Sequence, residues 1–304
     1  MNQVTTRCGT VALVGRPNVG KSTLLNKIVG QKVSITSRKP QTTRHRITGI
    51  HTENECQTIF VDTPGIQQQY DSAMHRYMNK AASSTFDDVD VIVFIVDRLE
   101  WNEADQFVCD SLKEAAAPVL LVINKVDRVL DKNKLLPHIQ TLSSRLSWAD
   151  IVPLSAKQGQ NLDSLQSAIK KRLPFAEHIY DAEQMTDRSI RFLSTELIRE
   201  KIMRQLGDEL PHKVAVEIEK FEEKPSIIHI HALIWVERDS QKKIIIGKQG
   251  ERLKTIGTEA RKDIEYLCDN KVMLKLWVKV RSSWSDDDQM LQALGYSDEY
   301  SPAK

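Results

Sequence analysis

Apolar β-branched runs and helical spacings alternate along the first 174 residues. Val11 to Gly15, Thr58 to Asp62, Val91 to Asp97, Val119 to Asn124 and Asp150 to Pro153 read as strands. Stretches with 3.6-residue spacing lie between and beyond them, as in Lys21 to Val29 and in Leu135, Ile139, Leu142 and Leu146. Strands that are apolar on both faces need helices on both sides. The pattern therefore predicts an α/β domain over residues 1–174, with a mostly parallel sheet covered by helices on both faces.

Beyond Pro174 the pattern changes. Residues 175–187 hold four acids and no Lys or Arg, which predicts a polar linker. Over 188–281 a helix (Phe192, Leu193, Leu197, Ile198, Met203, Leu206) precedes two alternating strands, Val214–Val216–Ile218 and Ile228–Ile230–Ala232–Ile234–Val236. A second helix (Leu253, Ile256, Ala260, Ile264, Leu267) and a last strand, Val272 to Val280, complete an α+β module in the order α, β, β, α, β. Residues 282–304 read as a C-terminal tail, and the acids Asp286, Asp287 and Asp288 as helix first-turn residues. Gly257 inside the second helix of the module costs about 1 kcal/mol relative to Ala, which predicts either a tolerated glycine or a break between two short helices.

Two units agree with a length of 304 residues, above the usual size of a single core. Composition is that of ordinary globular protein, with 40% apolar and 28% charged residues and a formal charge of +2. The longest apolar runs fall far short of the roughly 20 residues of a membrane-spanning helix. The N-terminal residues lack the apolar stretch of a secretory signal, so an intracellular location is expected. Cys8, Cys56, Cys109 and Cys268 form no C-x-x-C pair and are read as buried or incidental thiols.

Charge counted by segment is more telling. Residues 188–281 carry 20 Lys and Arg against 15 Asp and Glu, while 282–304 carry one Lys against five acids. Within 238–262 there are eight basic and three acidic residues, a local excess that suits a polyanion partner or, more plainly, a solvated helix face.

The chemistry starts at Gly15-Arg16-Pro17-Asn18-Val19-Gly20-Lys21-Ser22, which matches G-x-x-x-x-G-K-[ST] between an apolar strand and a helix. Glycines let backbone N–H groups curl round phosphates, Lys21 reaches the β- and γ-phosphates, and the Ser22 hydroxyl serves Mg²⁺. Asp62-Thr63-Pro64-Gly65 places a carboxylate by the metal and a glycine N–H near the γ-phosphate. Asn124-Lys125-Val126-Asp127 ends another strand, where the Asp127 carboxylate can accept two hydrogen bonds from guanine, which selects GTP over ATP. Ser155-Ala156-Lys157 can offer a backbone N–H to the guanine O6. Later in the chain, Ile244-Ile245-Ile246-Gly247-Lys248-Gln249-Gly250-Glu251-Arg252 contains an I-I-G-x-x-G loop, expected to join a strand to a helix. KH domains clamp about four nucleotides with this device, so Ile246, Gly247, Lys248, Gln249, Gly250, Arg252 and Lys254 are candidate RNA-binding residues. His229 and His231 are two outward-facing strand residues in the plainest reading, with metal or RNA contact as the alternative. Lys271, Lys275, Lys279 and Arg281 share the polar row of the last strand, either as solvated edge residues or as further phosphate contacts.

These motifs, with Ser34 to Arg46 as a switch I segment, resemble the Era branch of the TrmE/Era/EngA group of GTPases, over nearly the whole chain. One GTPase domain followed by one KH domain fits; a second GTPase domain, or a long helical insertion with a C-terminal cysteine motif, is not found. The resemblance implies a P-loop GTPase domain followed by a type II KH domain. It makes Thr43 the switch ligand of Mg²⁺ beside Ser22 and Asp62, and adds Val19 and Thr23 to the nucleotide site. Lys21, Thr43 and Gly65 would serve hydrolysis.

The resemblance also implies 16S rRNA near its 3′ end and the 30S subunit as partners, a monomer, and peripheral association at the cytoplasmic face of the inner membrane. Where Ras-like enzymes place a water-positioning Gln after D-x-x-G, this chain has Ile66, followed by Gln67, Gln68 and Gln69, none of which is assigned. Slow turnover is therefore expected, with a potassium ion beside Asn18 as a candidate source of transition-state charge. An RNA-binding scaffold with GTP as a structural ligand is the alternative function.

Overall fold

The computed structural model describes residues 5–39, 42–65, 72–83, 88–206 and 213–296. Residues 66–69, and with them the departure at Ile66, lie outside the described residues, as do Pro40 and Gln41 of the switch. The chain divides into two compact units. The first comprises 1–34, 43–69 and 78–187; the second comprises 35–42, 70–77 and 188–304.

The first unit is built on a six-stranded sheet of β1 (Arg7–Val14), β2 (Ile47–Glu53), β3 (Cys56–Asp62), β4 (Val91–Asp97), β5 (Val119–Asn124) and β6 (Asp150–Pro153). Its order is β2-β3-β1-β4-β5-β6, parallel throughout except for the antiparallel β2–β3 pair. Every residue of β4 and β5 is buried, which explains their unbroken apolar sequences. Around the sheet run α1 (Lys21–Val29), α2 (Ala73–Ser83), whose first half groups with the second unit, α3 (Glu103–Ser111), α4 (Leu135–Ser143) and α5 (Leu162–Lys170).

Strand β2 has no counterpart among the predicted elements. It is an edge strand with polar residues and a glycine, so its sequence carries little of the apolar signal of its neighbours. Gly49 is required there because a Cβ would lie 2.5 Å from Leu25 Cδ1 of α1. Residues 175–187 are not free of the first unit. Gln57 Oε1 accepts the N–H groups of Ile179 and Tyr180, both at 2.9 Å, and Ile50 N donates to Met185 O at 2.8 Å.

The second unit holds α6 (Ile190–Gln205), β7 (Val214–Lys224), β8 (Ile227–Val236), α7 (Asp239–Ile246), α8 (Glu251–Cys268), β9 (Val272–Val280) and α9 (Asp288–Ala293). Its sheet runs β7-β8-β9, antiparallel then parallel. One row of each strand joins Leu197, Ile198, Ile202, Ile256, Ala260 and Ile264 of the helices in a single core. One expectation is corrected here and one open alternative decided. Ile244-Ile245-Ile246 is the last turn of a helix, not a strand, so the G-x-x-G loop joins two helices. A three-residue apolar run has no period of its own; Gln241, whose Oε1 accepts the N–H groups of Glu237 and Arg238, starts the helix, and burial of Ile245 holds it. Gly257 breaks nothing, because α8 runs through it as one helix.

Of the three acids expected in a helix first turn, Asp288 lies there, while Asp287 is the N-cap of α9, accepting from Met290 N at 3.0 Å, and Asp286 ends the turn before it. Trp284 is wholly buried and donates to Lys213 O at 3.3 Å, so residues 284–293 pack on the second unit. Cys8, Cys56 and Cys109 are buried and Cys268 half-buried, all as free thiols. Among the described residues no helix is long and apolar enough to cross a membrane.

Phe94 anchors the core of the first unit. It is fully buried, stacked on Trp148 with ring centres 6.0 Å apart and met edge-on by Trp101 at 6.0 Å. Phe94→Ala is expected to destabilise the first unit by about 3–5 kcal/mol. Urea unfolding followed by tryptophan fluorescence checks this, and a loss below about 1 kcal/mol would contradict the packing described.

Candidate nucleotide and RNA sites

The sheet register brings the first unit's candidate groups to one edge. Leu13 of β1 pairs with Asp62 of β3, and Asp97 of β4 with Asn124 of β5, so the strands end together. Ligand crevices of open α/β sheets lie at this carboxyl edge, where neighbouring connections diverge. The loop Gly15 to Gly20 follows β1 and feeds α1. Its backbone takes positive φ at Gly15 (147°), Asn18 (67°) and Gly20 (108°). A Cβ at Gly15 would lie 2.4 Å from Ile95 O, and one at Gly20 would lie 2.3 Å from Asn124 Nδ2, so both positions exclude side chains.

Three predicted metal ligands converge. Ser22 Oγ donates to Asp62 Oδ2 at 2.6 Å and lies 2.9 Å from Thr43 Oγ1, which is itself 3.5 Å from Asp62 Oδ2. Ser34, absent from the predicted set, joins them through Oγ to Asp62 Oδ2 at 2.8 Å. Asp62 is fully buried, and its Oδ1 has no hydrogen-bond partner. Burial, the largest influence, pushes the Asp62 carboxyl above its ordinary value against the pull of Lys21 and the three hydroxyls. A buried, orphaned carboxylate oxygen beside two hydroxyls is an all-oxygen donor set that suits Mg²⁺. The bound ion would supply positive charge at the phosphates; Ser22, Thr43 and Asp62 would hold it.

Lys21 is equally enclosed. Its Nζ donates to Gly15 O at 2.8 Å and Arg16 O at 3.1 Å, inside the phosphate loop. Burial lowers its pKa to about 8, with Asp62 opposing and Arg16 adding to the shift. Gly65 packs on Pro17, whose backbone N would stand 2.9 Å from a Cβ. Its N–H makes no hydrogen bond among the described residues, so it can serve a phosphate oxygen.

Asn124 ties the base end together. Its Nδ2 donates to Val19 O at 2.7 Å, and its Oδ1 accepts from Lys125 N at 2.7 Å and Ala156 N at 3.0 Å. Lys125 Nζ donates to Asn18 O and to Asp97 Oδ2, each at 2.6 Å. Burial would raise the Asp97 carboxyl, but hydrogen bonds from Lys125 and Arg98 outweigh it and hold it below its ordinary value. Asp127 Oδ1 accepts from Ser155 Oγ at 2.6 Å, which orients the carboxylate that the sequence predicts for guanine. Since Ala156 N is already used, Lys157 carries the remaining N–H of that loop. Val19 is buried within the phosphate loop, and Thr23 sits in the first turn of α1. Asp97 was not legible as a site residue, although it ends an apolar strand in the same way as Asp62.

Residues 35–42 of the switch are grouped with the second unit, where α6 contacts Thr36 and Thr42. Glu200 Oε1 accepts from Thr36 N at 2.9 Å, and Arg204 Nη2 donates to Thr36 O at 3.1 Å. Arg199 Nη2 donates to Thr42 O at 2.5 Å while Glu196 neutralises it. The sequence analysis missed these helix residues; the charged run Glu196, Arg199, Glu200 and Lys201 set among Leu193, Leu197, Ile198, Ile202 and Met203 was the available sign.

The second candidate site lies in the second unit. Gly247 (φ 72°), Gln249 (51°) and Gly250 (82°) form a tight turn between α7 and α8. A Cβ at Gly247 would be 2.7 Å from Arg252 Cβ, whereas one at Gly250 meets open space. Arg252 Nη1 donates to Ile244 O at 2.6 Å and so braces the turn, while Lys248, Gln249 and Lys254 are exposed. Ile246 packs on the core beneath. The turn opens on a groove of about 390 Å³ lined by Leu253, Lys254, Gly257, Arg261, Leu274 and Leu276. Gly257 lets this groove stay open, since a Cβ there would touch Leu276 at 3.4 Å. The apolar wall was not legible, because α8 and β9 had to be packed before Leu274 and Leu276 could face the turn.

Comparison with known proteins finds a GTPase module and a KH module in this chain. A family model described as a 50S ribosome-binding GTPase matches residues 10–125, and a KH-domain model matches 209–285. GTPase Era of Ectopseudomonas mendocina is 60% identical over 292 residues, 96% of this chain and 98% of that protein.

The chain belongs to the Era family of GTPases.

Era of Azotobacter vinelandii is also 60% identical, with 96% and 97% covered. Among solved structures, a variant of Aquifex aeolicus Era bound to GDP·AlF4⁻ superposes with a TM-score of 0.93 at 38% identity, covering 96% of this chain and all of that one. Era in complex with MgGDPNP and nucleotides 1506–1542 of 16S ribosomal RNA matches with a TM-score of 0.92, 38% identity and coverage of 96% and 99%. As an Era family member, the chain is a P-loop GTPase that uses GTP, GDP and Mg²⁺, followed by a KH domain.

The depressed pKa of Lys21 sets a pH dependence. In the folded, nucleotide-free chain Lys21 titrates near 8 rather than its ordinary 10.5, so its buried charge destabilises the fold below about pH 8, and that penalty fades as pH rises toward 10.5. A bound polyphosphate restores the charge, so GDP binding takes up a proton once pH exceeds about 8. Calorimetric titration in buffers of different ionisation heat is expected to show little proton uptake at about pH 7 and clearly more at about pH 9. Equal uptake at both pH values would contradict the assignment.

Proposed function

We propose that this chain is a GTP-driven switch that binds 16S rRNA near its 3′ end and thereby assists assembly of the 30S subunit, acting as a monomer. The observation that carries the reading is the pairing, in one chain, of a hydrogen-bonded Ser22–Thr43–Asp62 oxygen cluster with a G-x-x-G turn over an apolar groove. The first responds to a γ-phosphate through Thr43, and the second suits single-stranded RNA. The solved Era complex with 16S rRNA nucleotides supports the RNA partner, and 16S rRNA belongs to the small subunit. That support outweighs the 50S wording of the broader GTPase model. A cytoplasmic location, with peripheral association at the inner membrane, rests on family resemblance alone.

Nucleotide selection runs through the proposed site residues: Gly15, Asn18, Val19, Gly20, Lys21, Ser22 and Thr23 at the phosphates; Asn124, Lys125, Asp127, Ser155, Ala156 and Lys157 at the base. Lys21 and the Gly65 N–H stabilise charge on the γ-phosphoryl group, and Thr43 links that group to the switch.

RNA affinity of the full chain is expected to differ between GDP and a non-hydrolysable GTP analogue, and to fall at least tenfold in Gly247→Asp with nucleotide affinity unchanged. Filter binding with 16S rRNA fragments measures both; identical affinity in the two nucleotide states would favour a scaffold with GTP as a structural ligand. Turnover is expected to be faster in potassium than in sodium at matched ionic strength, with Asn18→Ala removing the difference. Equal rates for the unaltered chain would leave Asn18 serving only the left-handed turn seen at φ 67°.

A further inference from the structure

Helix α1 carries Lys21 and Ser22 in its first turn, and one turn further on it carries Asn26. The Asn26 side chain is turned onto backbone that follows the helix. Its Oδ1 accepts from Val33 N and Ser34 N, each at 2.9 Å, and its Nδ2 donates to Ser34 O at 2.7 Å. One amide therefore fixes two consecutive residues against the helix that opens the phosphate site. Val33 and Ser34 are both buried, so these bonds are shielded from water and hold their geometry firmly.

Ser34 is thus a hydroxyl on a fixed backbone, and that hydroxyl donates to Asp62 Oδ2 at 2.8 Å. The three hydroxyls around this oxygen are not equivalent. Ser22, at 2.6 Å, and Thr43, at 3.5 Å, are the two whose oxygens the metal would claim. Thr43 also belongs to a loop that answers to the γ-phosphate, so its contact depends on the nucleotide. Ser34 opens the same segment in sequence, yet its backbone is fastened to α1 and needs no phosphate to stay there.

A carboxylate pinned through one oxygen presents the other in a set direction. Asp62 Oδ1 is the oxygen left without a protein partner, on the side away from the hydroxyl bonds. Groups that orient a metal's ligands from outside are worth about tenfold to a hundredfold in metal affinity.

We propose that Ser34 is a positioning residue for Mg²⁺ in both nucleotide states: its hydroxyl fixes the rotation of the Asp62 carboxylate, and Asn26 fixes Ser34. The connection runs from α1 to the metal site without passing through the nucleotide. The proposal rests on the assignment of Asp62 and Ser22 to Mg²⁺ and adds two residues outside the predicted metal set.

The test uses the full chain and two readouts other than turnover. One is the affinity for the fluorescent nucleotide mant-GDP in EDTA. The other is the affinity of the GDP complex for Mn²⁺, a stand-in for Mg²⁺ whose free-ion signal in electron paramagnetic resonance disappears on binding. Ser34→Ala is expected to weaken Mn²⁺ by roughly tenfold and to change mant-GDP affinity in EDTA by less than about twofold. A side chain that merely packed would weaken both together. Asn26→Ala should weaken Mn²⁺ as well, and the double substitution should do no more than Ser34→Ala alone, because both act through one hydroxyl. Should Asn26→Ala not fold, Ser34→Ala decides by itself. Unchanged Mn²⁺ affinity in Ser34→Ala overturns the proposal, as does an equal loss in EDTA or additivity of the two substitutions. Asp62→Ala is the control: Mn²⁺ affinity equal to that of the unaltered chain would bring down the metal assignment itself, and the proposal with it.

Discussion

A buried carboxylate, one of whose oxygens finds no protein partner, is the constraint on which the first unit turns. Asp62 is fully enclosed at the end of a buried strand, and three hydroxyls point at its other oxygen. Burial disfavours its charge, as it disfavours that of Lys21 close by. In that state the site holds two ionisable groups away from their preferred condition, which a divalent cation and a phosphate chain would correct together. The positive-φ glycines at 15 and 20 and the glycine at 65 against Pro17 leave no room for further side chains at the phosphate loop.

Charge is buried in the second unit too, with a different outcome. Helix α6 carries Glu196, Arg199, Glu200 and Lys201 in its interior, and each is paired or hydrogen-bonded there. Replacing such groups by apolar ones would often cost little in stability, so their presence calls for another reason. Here it is the backbone of residues 35–42, whose polar groups at Thr36 and Thr42 are met by Glu200, Arg204 and Arg199. The same segment is bounded in sequence by Ser34 and Thr43, both in the Asp62 cluster.

The RNA module economises on a single strand. β9 gives one row of side chains to a groove wall and the other to an aromatic and basic surface, a division that period-two alternation makes available to any edge strand. The G-x-x-G turn needs glycine for two reasons. Gly247 has no room for a side chain, while Gly250 has room but holds a backbone that side chains disfavour.

Much of this was legible in the sequence, because phosphate, metal and guanine each demand particular residue types at strand ends. Gly15 to Ser22, Asp62 to Gly65 and Asn124 to Asp127 are contiguous, so local chemistry suffices to read them. The buried strands β4 and β5 announced themselves by unbroken apolar runs for the same reason. What stayed hidden involved partners distant in sequence. Strand β2 is polar and recognisable only by its pairing with β3. Ile244 to Ile246 is helical because Gln241 caps the turn before it and Ile245 finds the core. Ser34 became part of the metal cluster, and Glu200 a holder of the switch, only when the chain brought residues 28 and 164 positions apart into hydrogen-bonding distance. A sequence states which groups are present and in what local order; packing alone decides which of them share a volume from which water is excluded, and there their charges and hydrogen bonds acquire their strength.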